Sequence, residues 1–287
     1  MKRLAMIITT LFITALIVTL AAPALAATTP AFQRVWNRQD LPVQQGVATR
    51  SWTWGPAPIS DVLNEPYYNA PGNQRQVQYF DKSRMEINDP SADATANWYV
   101  TNGLLPVELI RGRMQLGHDT FADLEPAAIS AIGDPGYFPT YANLAQVYQN
   151  PGQVRESDLG KPATGMLNPD GSITGFNGYV NDPATILVRG ENNHGVAKAF
   201  IDFQNQRATV YENGRYIRDQ VYDPLFVFGL PVTGAYWVNT RVGNRDMPVL
   251  FQVFERRVLT YNPANPPEWR VEMGNVGQHY HQWRYGR

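Results

Sequence analysis

Two stretches of this chain carry the same order of uncommon residues, and a duplication constrains the fold before any local pattern does. The first runs Trp54-Gly55, Pro58-Ile59-Ser60, Gln78-Tyr79-Phe80-Asp81-Lys82, Trp98-Tyr99-Val100 and Gly103-Leu104-Leu105. The second runs Phe228-Gly229, Pro231-Val232-Thr233, Gln252-Val253-Phe254-Glu255-Arg256, Trp269-Arg270-Val271 and Gly274-Asn275-Val276. Gln252 lies 174 residues after Gln78, Trp269 lies 171 after Trp98, and Phe200 and Gly214 lie 168 after Phe32 and Gly46. Offsets that slip by so little mark loop insertions. They divide the chain into two homologous units, residues 31–117 and 194–287, and a middle segment, 118–193, that has no partner.

Local pattern gives each unit the same expected sequence of elements. Phe32, Val35 and Trp36 stand at i, i+3 and i+4, and Val196, Phe200 and Phe203 at i, i+4 and i+7, so each unit opens with a short helix. Asn192 or Asn193 is placed to cap the second. Strands follow. Gln78 and Phe80, like Gln252 and Phe254, sit two apart and share a strand face. Asn88-Asp89-Pro90 and Asn262-Pro263 read as turns after the strand pair. Leu105 with Leu109, and Val276 with Tyr280 and Trp283, mark a closing helix in each unit. In the middle segment, Asn168-Pro169-Asp170-Gly171 reads as a hairpin turn, Thr185 to Val188 as a strand, and Phe138 to Pro162 as loop. The 22 prolines and 23 glycines favour short elements joined by turns, and a hydrophobic share of 44% suffices for a core. The expected class is α+β: two homologous small antiparallel-sheet units with short helices flanking a β/loop-rich middle.

The order Gly-x-Pro-x-Thr, Gln-x-Phe-Glu, an aliphatic-x-Tyr step, Trp-x-Val-x-x-Gly and a closing Trp resembles the LGFP-type repeats of secreted bacterial cell-envelope proteins. The residues that match in the second unit are Gly229, Pro231, Thr233, Gln252, Phe254, Glu255, Leu259, Tyr261, Val271, Gly274 and Trp283. The first unit departs: Ser60 replaces the Thr, Asn88 follows Ile87 where Tyr is expected, and Gly112 stands where Trp283 does. The resemblance implies attachment to, or organisation of, the cell envelope. It carries no catalytic residue over.

Residues 1–26 fit an export signal, which points to a secreted or cell-surface protein. Lys2 and Arg3 precede an apolar run from Leu4 to Leu20, and Ala24-Leu25-Ala26 supplies a signal-peptidase site, with an uncleaved anchor as the alternative. No later stretch is long and apolar enough to span a bilayer, so cleavage leaves no transmembrane segment. Lys plus Arg (24) balances Asp plus Glu (25), which removes the basic excess that nucleic-acid binding needs. The absence of cysteine excludes disulfides, thiolate metal sites, a cysteine nucleophile and acylation of an N-terminal cysteine.

The chemistry the chain can offer is narrow. There is no Gly-x-Ser-x-Gly or His-Glu-x-x-His motif, and Gly160-Lys161 runs into Pro162 where a phosphate loop has Ser or Thr. His279 and His281 would chelate a metal from a strand, but the repeat places them on the closing helix, about 200° apart. No cofactor or metal is expected. Asp119, Asp123, Glu125, Asp134, Glu156 and Asp158 could supply the carboxylate pair of a glycosidase, or simply line turns. The remaining signal is aromatic. Trp52 and Trp54 alternate along one strand, with Tyr67 and Tyr68 nearby and Tyr236 and Trp237 at the corresponding place in the second unit. Such rings form either a sugar-binding platform or core. The expected function is a secreted, non-catalytic protein of the cell envelope or extracellular matrix that binds polysaccharide or wall polymer. The alternatives are a secreted glycoside hydrolase with its acids in the middle segment, and a structural module that meets protein partners.

Overall fold

Thr29 starts the first helix. Its side-chain oxygen accepts the Phe32 amide at 3.1 Å, and Pro30 fits the first turn, where no amide hydrogen is needed. The computed structural model describes residues 26–148, 156–190 and 194–286. Residues 1–25 of the export signal, and Asn192 and Asn193, lie outside them. Helix α1 (Pro30–Gln44) buries Phe32, Trp36, Gln39 and Asp40 along one face. Beyond it run β1 (Leu63–Pro66), β2 (Gln74–Tyr79), β3 (Arg84–Ile87) and β4 (Thr101–Asn102), an antiparallel sheet in chain order. Helix α2 (Leu105–Arg111) follows and stops at Gly112, whose φ is +63°. A β-carbon at Gly112 would stand 2.4 Å from the Leu124 carbonyl oxygen, so no larger residue fits this cap.

The middle segment holds the hairpin β5 (Arg113–Gln115) and β6 (Phe121–Asp123), helix α3 (Tyr141–Leu144), and the strands β7 (Gly165–Leu167), β8 (Ile173–Gly175) and β9 (Leu187–Arg189). Thr140 and Asn143 cap α3 reciprocally, so part of the stretch expected to be loop is helical. The Asn168–Gly171 turn joins β7 to β8 as expected. Thr185 ends a 3-10 turn (Pro183–Thr185), and only Leu187 and Val188 of the expected strand join β9.

The rest of the chain comprises β10 (Gly195–Ala197), α4 (Lys198–Gln204), β11 (Arg207–Glu212), β12 (Arg215–Gln220), α5 (Pro224–Val227), β13 (Tyr236–Val242), β14 (Arg245–Val253), β15 (Val258–Tyr261), β16 (Val271–Met273) and α6 (Val276–Tyr285). Two sequence expectations change here. Val196 lies on β10, paired with Val188, and not on the helix that follows. Gly214 forms the β11–β12 turn, whereas Gly46 follows the end of α1, so the two glycines share a positive φ but not a place in the fold. The β11–β12 hairpin lies against α1, and Arg38 of α1 reaches Glu212 and Asp219 at 2.6 and 3.1 Å.

The class is α+β, with the antiparallel strands divided among several small sheets. Strands β13–β16 repeat the chain-order pairing of β1–β4. Ile59 N donates to Tyr79 O and Val232 N to Val253 O, both at 2.9 Å. Phe80 N donates to Ser83 O and Phe254 N to Arg257 O, both at 2.8 Å. Lys82 N reaches Trp54 O and Arg256 N reaches Phe228 O, both at 2.9 Å. The middle segment is built into this frame. Strand β7 pairs parallel to β13, which extends the second sheet to β16-β15-β14-β13-β7-β8. One apolar cluster joins Val77, Leu109 and Tyr79 to Tyr141, Leu144 and Leu167 and to Val238, Phe251 and Tyr280. The three segments therefore share a core.

Candidate functional site

The aromatic residues expected to form a platform are mostly core. Trp54 is fully buried; its indole N–H donates to Gln39 Oε1 at 2.6 Å, and the Arg257 guanidinium lies 4.9 Å from its ring centroid. Trp237 is also fully buried, donates to Ala163 O at 2.8 Å and stacks on Tyr179 at 4.9 Å. Tyr67 is buried under the Arg75 guanidinium, and Tyr236 is buried against Phe251. Trp52 is half-buried, and Tyr68 alone of the six is open to solvent, at 54% exposure. The physical reason is the backbone. Residues 51–60 form no regular strand, and the Asp40 carboxylate gathers the amides of Thr53, Trp54 and Gly55 at 2.7–3.1 Å, which turns Trp54 inward against α1.

Two of the candidate acids are engaged at separate places. Asp123 pairs with Arg113 at 2.9 Å on the β5–β6 hairpin, whereas Asp134 accepts the amides of Gly243 and Asn244 at 3.1 and 3.0 Å. The Glu125 carbonyl accepts the Trp283 indole N–H at 2.9 Å. His279 and His281 lie on α6, and no group of three or more His, Asp or Glu among the described residues is arranged to hold a metal ion.

A cleft of about 510 Å³ opens where the three segments meet. Lys82 comes from the first, residues 128–133 with Pro135 and Gly136 from the middle, and Thr260, residues 272–275, Gln278, His279 and Gln282 from the last. Lys82 Nζ donates to Met273 O at 2.8 Å and Asn275 Oδ1 at 2.7 Å, and Gln278 Nε2 donates to Asp81 Oδ1 at 2.7 Å. These bonds fix the start of α6 against the β2–β3 turn. Gly277 permits the approach, because a β-carbon there would stand 1.9 Å from Phe80 O. His279 Nδ1 lies 2.9 Å from the Tyr141 hydroxyl. Burial, and then the Lys82 charge, lower its pKa to about 4, so the imidazole is neutral at physiological pH. Burial also lowers the Lys82 ammonium. Glu272 is the one carboxylate among the described lining residues. The arrangement offers hydrogen-bond donors and acceptors with little fixed charge.

Sequence reasoning missed a buried ionic network. Arg84 reaches Glu65 at 3.0 Å and Glu86 at 2.6 Å, Arg75 reaches Glu86 at 3.0 Å, and Arg284 reaches Glu65 at 3.3 Å. Burial alone would raise Glu65 and Glu86, but the guanidinium groups outweigh it and hold both below the usual carboxylate range. Glu108 lies farther from Arg84, at 3.8 Å, and there burial wins and raises the carboxyl. Glu65, Arg75, Arg84 and Glu86 lie on the adjacent strands β1, β2 and β3, and only the pairing of those strands brings them together. No helix among the described residues is long and apolar enough to cross a membrane. No protein-family model, curated protein or solved structure matches this chain.

Proposed function

We propose that this is a secreted, non-catalytic protein of the cell envelope or extracellular matrix, built from two related LGFP-like units, that binds polysaccharide or wall polymer. Support for the duplication comes from the paired hydrogen bonds around Phe80 and Phe254, which recur at the sequence positions where the repeat motif recurs. The observation that carries the binding reading is the cleft at the junction of the three segments. Its polar groups, Ser130, Thr260, Asn275, Gln278, neutral His279 and Gln282, suit the hydroxyl groups of a neutral glycan. Glycoside cleavage needs two carboxyl groups about 5–9.5 Å apart across the scissile bond, and among the described residues Glu272 is the one acid that lines the cleft.

Retention on purified bacterial wall material and on insoluble polysaccharide, assayed beside release of reducing sugar, tests this function. Retention without release is the expected result. Replacing the exposed Glu272 and Gln282 together by Ala should weaken retention and leave the melting temperature unchanged. Release of reducing sugar would establish a hydrolase instead. Failure of the natural protein to bind either material would remove the reading.

A further inference from the structure

Trp98 has an unusual backbone for so large a residue. Its φ is +68°, in the left-handed region that bulky side chains seldom occupy, and its side chain is turned out to 43% exposure. The matched Trp269 sits in a 3-10 turn (Pro267–Trp269) and is half-buried. The outward tryptophan is therefore particular to the first unit. A conformation of this kind persists only where its surroundings over-determine it, and such outliers cluster at binding sites.

The surroundings are firm. Asp93 Oδ1 accepts both the amide and the hydroxyl of Thr95, at 2.8 and 2.7 Å, and Arg34 of α1 donates to Ala94 O at 2.6 Å. Phe226 meets the Trp98 ring at 73° with centroids 5.5 Å apart, and Phe226 in turn packs on buried Trp54 at 6.0 Å. Trp98 thus forms one wall of a groove of about 330 Å³ between the 95–98 loop, α1 and the start of α5.

We infer that this groove is a second glycan site, in which the Trp98 indole stacks on one pyranose ring of a neutral oligosaccharide. The inference rests on the reading of the protein as a polysaccharide binder and adds to it a site apart from the junction cleft. An indole matches the apolar face of a pyranose, while Arg34, Asn97 and Thr95 offer the polar fringe that sugar hydroxyls need. Charge favours a neutral ligand. Arg38 is already paired with Glu212 and Asp219, and the Asp223 carboxylate also lines the groove.

The test titrates the full chain with soluble cellohexaose, chitohexaose and maltohexaose, reading tryptophan fluorescence, beside retention of the same protein on wall material and insoluble polysaccharide. At least one hexasaccharide should bind saturably. Trp98→Ala should weaken that binding about tenfold, and Trp98→Tyr, which keeps a stacking ring, should restore most of it. Melting temperatures of all variants show that the fold is intact. If the natural protein is retained on polymer while Trp98→Ala binds as well as it does, the second site is wrong and the general reading stands. If the natural protein neither binds a hexasaccharide nor is retained on polymer, both fail. A Trp98→Tyr variant as weak as Trp98→Ala in an intact fold would also overturn the stacking role.

Discussion

Gln78 and Gln252 make the same two hydrogen bonds in different sheets. Gln78 Nε2 donates to Ser60 O at 3.1 Å and Ala27 O at 2.8 Å; Gln252 Nε2 donates to Thr233 O at 2.8 Å and Gly195 O at 2.9 Å. Both side chains are fully buried. Each ties the hydroxyl turn, Ser60 or Thr233, and the segment before the opening helix to one strand. The hydroxyl completes the knot: Ser60 Oγ accepts from Tyr79 N at 3.1 Å, and Thr233 Oγ1 accepts from Val253 N at 3.0 Å. A glutamine is needed here because one amide nitrogen must reach two carbonyls that no backbone amide serves.

Gln252→Leu should cost about 2–4 kcal/mol, because it leaves two buried carbonyls without a donor while nearly conserving volume. Urea denaturation of this variant and the natural protein measures the difference. A loss below about 0.5 kcal/mol would show that the knot contributes little.

Phe80 and Phe254 are 1% and 2% exposed, and each closes an isolated bridge, to Pro58 and to Pro231. They pack in separate clusters, Phe80 with Trp36 and Met85, Phe254 with Phe200 and Leu259. Phe80→Ala and Phe254→Ala should therefore each cost about 3–5 kcal/mol, and the two losses should add to within about 0.5 kcal/mol. Strong non-additivity in thermal or urea melts would mean that the clusters are coupled.

Period-two and helix-period patterns located the strands around Gln78 and Gln252 and the helices at Leu105 and Val276, because those residues face a core from regular backbone. The same patterns failed at Trp52 and Trp54, where a side-chain carboxylate, not a sheet, sets the backbone. The substitution of Gly112 for the closing tryptophan was visible in the sequence, but its meaning was not. Gly112 ends α2 under the Leu124 carbonyl, whereas α6 continues through Trp283 to Tyr285. The cleft was not legible at all. Lys82, Ser130 and His279 are brought together only by the packing of three distant segments. Trp98 was noted as a repeat position, but neither its positive φ nor its exposure follows from spacing.

Asp40 makes stability depend on pH in an unusual direction. Burial raises its carboxyl from 3.8 to about 6, against the opposing hydrogen bonds from Thr53, Trp54 and Gly55 and the charge of Arg50. The folded chain then holds this proton more tightly than the unfolded chain. The contribution of Asp40 is greatest below about pH 4 and is lost as pH rises to about 6. A rise of that size corresponds to roughly 3 kcal/mol. Asp40→Asn cannot titrate. It should be destabilised at every pH, because its amide meets backbone donors, but its deficit relative to the natural protein should shrink between pH 4 and pH 7. A deficit that stays constant or widens across that range would refute the direction.

The shared core makes a final prediction about how the chain comes apart. Val77, Tyr79 and Leu109 pack in one cluster with Tyr141, Val238, Phe251 and Tyr280, so part of each unit's apolar face is buried only by the other segments. Polar ties cross the same junction. Tyr280 donates to Glu108 Oε2 at 2.5 Å, Lys82 reaches Met273 O at 2.8 Å, and the Arg256 guanidinium donates to Asn102 O. A fragment of residues 26–117 would expose its side of the cluster and leave Glu65 without Arg284 and Glu108 without Tyr280. Losing these partners and exposing that apolar surface removes a large part of the about 5–15 kcal/mol that holds a typical domain folded. The chain should thus unfold in one transition with equal calorimetric and van't Hoff enthalpies, and neither 26–117 nor 194–286 should fold in isolation. Differential scanning calorimetry of the full chain and amide-proton dispersion of the two fragments measure this. Two resolved transitions, or a fragment with a dispersed spectrum, would make the units independent beads joined by their middle segment.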